Sequence, residues 1–170
     1  AMAFDWVFVN PFHATGSSRS LYAVADTDRL DWRFRSEGGG SDDERVAAFA
    51  ADAKRHGLRV MIDLVINHAA IDGRLAHERP ELFVRDPSGG IAHPFAVDPD
   101  DPGRRTVWGD LGEFDWHGEA SRAALLDHWD RYLARMQRLG IADFRCDAAY
   151  MVPAEVWRRL IQAAKSRDPA

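Results

Sequence analysis

Among 170 residues the chain has a single cysteine, Cys146. That excludes an internal disulfide framework and leaves no thiolate cluster to hold zinc. No apolar run approaches the roughly 20 residues of a membrane span, and "AMAFDWVFVN" lacks the basic start and long apolar core of a signal peptide. Basic residues are scattered, not clustered, and the formal charge is −5, so neither nucleic acid nor an anionic membrane is expected as a partner. A small polar or neutral substrate fits this balance better, and a cytoplasmic location is the expectation. There is no internal repeat and no low-complexity tract. No glycine-rich turn follows a strand pattern; "NPFHATGSS" and "NHAAIDGR" are not phosphate cradles, which lowers a nucleotide-binding reading.

With 46% hydrophobic and 29% charged residues, the composition is that of a globular domain. "FDWVFVN" (4–10) predicts a buried strand closed by Asn10-Pro11. After a loop holding Gly16, Ser17 and Ser18, the stretch "EGGGSDDERVAAFAADAKRHG" announces a helix. Ser41 and Glu44 form a capping box, Asp42 and Asp43 favour the positive helix start, and Lys54, Arg55 and His56 close it before Gly57. "LRVMIDLVI" (58–66) is a near-continuous apolar run, expected for a strand covered on both faces of a parallel sheet. Residues 71–118, rich in Pro and Gly, predict a loop-rich insertion with a short helix near 73–78, ordered by Phe83, Phe95, Trp108, Phe114 and Trp116. A helix follows from Glu119 to Leu139 through Ala123, Leu126, Trp129, Leu133 and Met136, stopped by Gly140. "IADFRC" is a third strand, and "PAEVWRRLIQAAKSR", with Pro153 at its first helical position, is the last helix. Strand and helix alternation implies parallel units, from either an open doubly wound sheet or an eight-stranded barrel.

In a parallel barrel the carboxyl ends of the strands face the active site. Here the first strand ends in Asn10-Pro11-Phe12-His13, the second in "DLVINH" with Asp63, Asn67 and His68, and the third in Arg145 and Asp147. Arg145 and Asp147 share one face of their strand, with Phe144 and Cys146 on the other. A fixed guanidinium favours the charged form of a neighbouring carboxylate, and an oriented carboxylate is a nucleophile suited to an oxocarbenium-like carbon. His68 would donate a hydrogen bond to a substrate hydroxyl, and Tyr22 would supply an aromatic platform under a sugar ring.

These segments resemble glycoside hydrolase family thirteen, the α-amylase family. "DLVINH" is similar to its first signature, "FRCDAAY" to its second, "SLYAVADTDRL" to its Tyr-containing segment, and "WGDLGEFD" to a weaker signature near the end of its small domain B. The resemblance implies a partial (β/α)8 barrel from about strand 2 to helix 4. Residues 1–70 and 119–170 would be barrel segments, and 71–118 a domain B inserted after strand 3. It implies Asp147 as catalytic nucleophile, Arg145 as its orienting partner, Tyr22 and His68 as sugar contacts, and Asp63 as structural support. His13, Trp108 and Asp110 are further cleft candidates. No cofactor is required by the resemblance, and Asn67 stands where many members ligate calcium. The partner implied is an α-glucan or malto-oligosaccharide.

The sequence also departs from the pattern. Ala23 replaces the usual Asp after the Tyr, and Tyr150-Met151 replaces a common Lys-His pair; in the family it resembles, those positions commonly shape acceptor-side binding. "HERPELFVRDPSGGI" and "PAEVWRRLIQAAKSRDP" are similar to segments of maltosyltransferases that use maltose 1-phosphate, although those generally lack the Asn-His kept here as Asn67-His68. Transferase activity is therefore the alternative within the family. A catalytically silent, amylase-like binding protein is a second alternative, and a metal-dependent barrel hydrolase is disfavoured by the lack of paired histidines at ligand spacing. A retaining glycosidase needs a second carboxyl; in the family this Glu ends the fifth strand, and another essential Asp ends the seventh. The 170 residues hold neither, so the expectation is a fragment of a larger enzyme, incomplete and inactive alone.

Overall fold

The computed structural model describes residues 3–35 and 40–168. Positions 37–39 of the helix-announcing stretch, and residues 1–2 and 169–170 of the expected barrel segments, lie outside the described residues. In chain order the elements begin with strands β1 (Trp6–Val9), β2 (His13–Thr15) and β3 (Val24–Leu30), helix α1 (Asp42–Arg55), and strands β4 (Arg59–Leu64) and β5 (His68–Ala70). Then come the short helix α2 (Arg74–Glu78) and strands β6 (Phe95–Val97), β7 (Arg105–Val107) and β8 (Leu111–Glu113). Helix α3 (Glu119–Arg138), strand β9 (Asp143–Cys146) and helix α4 (Ala154–Arg167) complete the order.

The three expected strands form one parallel sheet in the order β1-β4-β9. Helix α1 starts where its sequence says it should. The Ser41 hydroxyl accepts from the Glu44 N–H at 3.2 Å while the Glu44 carboxylate accepts from the Ser41 N–H at 2.6 Å, a cap typically contributing about 1 kcal/mol. Pro153 sits one residue outside α4, as its N-cap, and not at the first helical position. Val60, Ile62 and Leu64 of β4 are buried on one sheet face, where Val7, Val9, Phe144 and Cys146 and the apolar sides of α1, α3 and α4 join a common core. On α3 the buried stripe runs through Ser121, Leu125, Trp129, Tyr132, Leu133 and Met136. Ala123, expected inside, is exposed because it lies between Ser121 and Leu125 on the opposite side of the helix.

Coverage of the sheet differs from expectation. The second face carries Trp6, Phe8, Arg59, Met61, Asp63, Asp143 and Arg145, by the register Trp6↔Arg59, Phe8↔Met61, Met61↔Asp143 and Asp63↔Arg145. Trp6 is 47% and Phe8 46% exposed, so β1 is not the buried strand its apolar run suggested, and the second face of β4 is covered at Asp63 but not at Arg59. Among the described residues no helix lies over this side; a forked ion pair, Arg59 to Asp143 at 2.8 and 2.9 Å, ties β4 to β9 across it. Three antiparallel pairings were not apparent in the sequence. β2 pairs with β3 through two register shifts, β6 pairs with β7 within 71–118, and β5, just before that segment, pairs with β8 inside it. Strands of three residues with bulges show no usable period. Phe83, Phe114 and Trp116 are buried in that segment as expected, whereas Phe95 and Trp108 are each more than a third exposed.

Candidate active site

The parallel register of β4 and β9 sets Asp63 directly beside Arg145. The Asp63 side chain has no solvent exposure, and a buried carboxylate requires donors. Two converge on it: Arg145 Nη1 donates to Asp63 Oδ1 at 2.5 Å, and the Tyr22 hydroxyl donates to Asp63 Oδ2 at 3.0 Å. The same Arg145 Nη1 donates to Asp147 Oδ1 at 2.8 Å. One guanidinium thus bridges a buried carboxylate and a half-buried one. Its pKa is raised above the usual arginine value, chiefly by the hydrogen bond to Asp63. The Tyr22 phenol is pushed up by burial and then by its bond to Asp63, so it stays a neutral donor.

Asp147 lies just past the last residue of β9, and its N–H still donates to Leu64 O at 3.1 Å. The next residue, Ala148, has φ 41°, a left-handed conformation that costs a residue with a Cβ about 1 kcal/mol. Such strain tends to persist where surrounding structure over-determines it, often at functional sites. The following turn is pinned by Trp157 Nε1, which donates to Ala149 O at 3.0 Å. Cys146 faces the helices on the other side, its thiol pushed up by burial.

A cleft of about 470 Å3 opens over these groups, within the usual size range of small-ligand sites. Of the expected set, Tyr22, Asn67, His68, Trp108, Asp110, Arg145 and Asp147 line it, and Asp63 lies beneath. Ser20, Tyr150 and Met151 complete the wall. His13 is not part of it. It is buried against α3, with Nε2 sharing a 2.8 Å hydrogen bond with the Tyr132 hydroxyl, and burial lowers its pKa from 6.5 to about 4. The physical reason is that His13 begins β2, whose pairing with Leu30 of β3 turns the ring into the core. His68 lines the cleft, but its Nε2 lies 3.1 Å from the Tyr22 carbonyl, which can only accept. Its bond therefore fixes the Tyr22 backbone. Burial lowers the His68 pKa and favours a neutral ring.

Asn67 is buried; Nδ2 donates to Met151 Sδ at 3.6 Å, and Oδ1 has no protein partner. Calcium takes six to eight oxygen ligands, and a thioether is a soft donor unsuited to it. Among the described residues there is no group of three or more His, Cys, Asp or Glu side chains that could hold a metal ion. The side chains around Asn67 do not fit a calcium cage. The shared guanidinium was not foreseen from the sequence; the signal for it is the equal spacing of Asp63 and Arg145 from their strand ends, which places them in register.

The same arrangement of segments recurs in known proteins. A family model described as the glucanotransferase domain of glycogen debranching enzyme matches residues 1–84. Two curated relatives are α-1,4-glucan:maltose-1-phosphate maltosyltransferases. The one from Burkholderia pseudomallei is 25% identical over 97% of this chain, and the one from Mycolicibacterium smegmatis is 26% identical over 99%. The chain spans 14% and 25% of those proteins' lengths. Among solved structures, an α-amylase from Lactobacillus plantarum superposes with TM-score 0.74 at 22% identity, covering 97% of this chain and 36% of that one. A maltogenic α-amylase from Thermotoga neapolitana gives 0.67 at 27% identity, covering 97% and 35%. Together these findings show the α-amylase-family resemblance carried by the motifs; the homologues are glycoside hydrolases or transferases of that family.

Proposed function

We propose that this α-amylase-family chain carries the nucleophile side of the active site of a retaining enzyme that cleaves or transfers α-glucosidic linkages. The observation that carries the reading is the bridge Asp63–Arg145–Asp147 at the carboxyl ends of two parallel strands, beneath a cleft lined by Tyr22 and His68. In this reading the sheet is an arc of a (β/α)8 barrel and 71–118 its domain B. The open face of Trp6 and Phe8 supports it, because parallel sheets are normally covered on both sides and barrel interiors are filled with side chains. Further strands of the parent enzyme would cover that face.

The chemistry follows from the groups present. An Asp147 oxygen attacks the anomeric carbon as the bond from that carbon to the departing oxygen breaks. A second carboxyl group, roughly 5 Å away and supplied by the rest of the barrel, gives the departing oxygen its proton. Water or a sugar hydroxyl then attacks the glycosyl–Asp147 ester, returns a proton to that second group and frees Asp147. Arg145 holds Asp147 aimed throughout, since its guanidinium is anchored from below by Asp63. The Tyr22 ring supports the sugar, and His68 holds Tyr22. No cofactor takes part.

The two curated relatives favour a narrower second reading, transfer of a maltosyl unit from maltose 1-phosphate to an α-glucan. A silent binding protein is disfavoured by the assembled Arg145 and Asp147. The test is early-time proton NMR of the intact protein's products, from maltotetraose and from maltose 1-phosphate with a glucan acceptor. An α-configured first product is expected. A β-configured one contradicts the nucleophile role, and binding without turnover favours the silent alternative.

A further inference from the structure

Behind the cleft lies a cavity of about 20 Å3, bounded by β3, the 65–69 segment, the start of α2, and His128 and Trp129 of α3. Three of its side chains carry a buried ring nitrogen without a protein partner: His68 Nδ1, His128 Nε2 and Trp129 Nε1. Leaving one such group unpaired costs on the order of 1–3 kcal/mol, and native folds rarely leave even one. Three residues that line one small cavity each carry such a nitrogen, and a shared partner inside it would satisfy them together. The charged residues at the same wall, Asp26 and Arg74, are already paired with each other at 3.3 Å.

The donor inventory defines that partner. Because the Tyr22 carbonyl only accepts, His68 Nε2 carries the proton, and in a neutral ring Nδ1 must then accept. Trp129 Nε1–H can only donate. A molecule joining them must both accept and donate, and the cavity exceeds the roughly 10–15 Å3 that a single water needs while leaving no room for a larger ligand. We propose that this cavity binds one ordered water, which accepts from Trp129 Nε1–H, donates to His68 Nδ1 and takes His128 Nε2 as its third partner. Burial lowers the pKa of both histidines, in keeping with neutral rings. The water completes a chain from α3 through His68, the Tyr22 backbone, the Tyr22 hydroxyl, Asp63 and Arg145 to Asp147. Trp129 and His128 thereby become positioning residues that act through His68; that consequence for turnover rests on the function proposed above, whereas the water itself does not.

Two measurements on the intact protein test this, the first independent of any activity. A crystal structure that resolves ordered water is expected to show one water within hydrogen-bond distance of all three nitrogens, and to lose it in Trp129→Phe, which keeps the ring contacts with Phe114 and Tyr132. A dry cavity in the native protein, or an unchanged water in the variant, overturns the proposal. Should the variant fold poorly, nitrogen NMR of labelled histidine in the native protein tests the same arrangement: His68 is expected as the Nε2–H tautomer, and the Nδ1–H tautomer overturns it. Second, Trp129→Phe is expected to lower kcat/KM by about 2–10-fold in the native background and not at all on top of His68→Phe. Equal falls in both backgrounds overturn the positioning role.

Discussion

Removing the guanidinium of Arg145 tests the electrostatic design of the site. In Arg145→Ala the Asp63 carboxylate, with no solvent exposure, loses its 2.5 Å partner and keeps only the neutral Tyr22 hydroxyl at 3.0 Å. Breaking a fully buried ion pair from one side costs about 3–5 kcal/mol. Arg145 is itself 46% exposed, so water enters the space it vacates and brings the expected loss down to about 2–3 kcal/mol. Across a domain of this size that is roughly 5–10 °C in Tm. The diagnostic step is to add Asp63→Asn. An amide still accepts from Tyr22 but carries no charge, so the double variant should recover about 1–2 kcal/mol over Arg145→Ala. Thermal and urea unfolding followed by circular dichroism measure both values. A double variant no more stable than Arg145→Ala would refute the claim that the buried charge of Asp63 is what anchors the guanidinium.

Other outcomes follow from the same geometry. His13 has its pKa lowered from 6.5 to about 4, so the unfolded chain takes up a proton that the folded chain refuses; stability contributed by the neutral ring is present above pH 6.5 and falls by on the order of 3 kcal/mol as pH drops from 6.5 to 4. His68 and His128, also lowered by burial, add the same sign. His13→Gln should therefore reduce the slope of unfolding free energy against pH in that window, and an unchanged slope would count against the assignment. On the cleft wall, Tyr150 is 82% and Trp108 36% exposed, so neither serves the core. Replacing each with Ala should raise KM for glucan about 2–10-fold with little change in Tm, and unchanged KM would remove them from the substrate path.

Much of the fold was legible because local chemistry and tertiary need coincide. The Ser41–Glu44 box, the charges of the first and last turns, and Gly57 with φ +74° mark both ends of α1 without reference to the rest of the molecule. β4 and β9 were visible as short apolar runs ending in polar groups, and seven of the nine site residues inferred from the sequence line one cleft. What stayed hidden depends on long-range partners. His13 looked like a strand-end site residue because sequence shows the polar group but not the Tyr132 hydroxyl, 119 residues away, that satisfies it in the core. The β2–β3 ribbon escaped because its pairing runs through two irregular steps, so no alternation marks it. Trp6 and Phe8 read as buried because an apolar strand gives no hint of which layers the same chain provides.

Whether Asp147 is the nucleophile is decided by quenching the intact protein during turnover, digesting it, and locating covalently bound sugar by mass spectrometry. One glycosylated peptide is expected, spanning Asp147, with the added mass lost in Asp147→Asn. Sugar attached to any other residue, or turnover that persists in Asp147→Asn, would contradict that role.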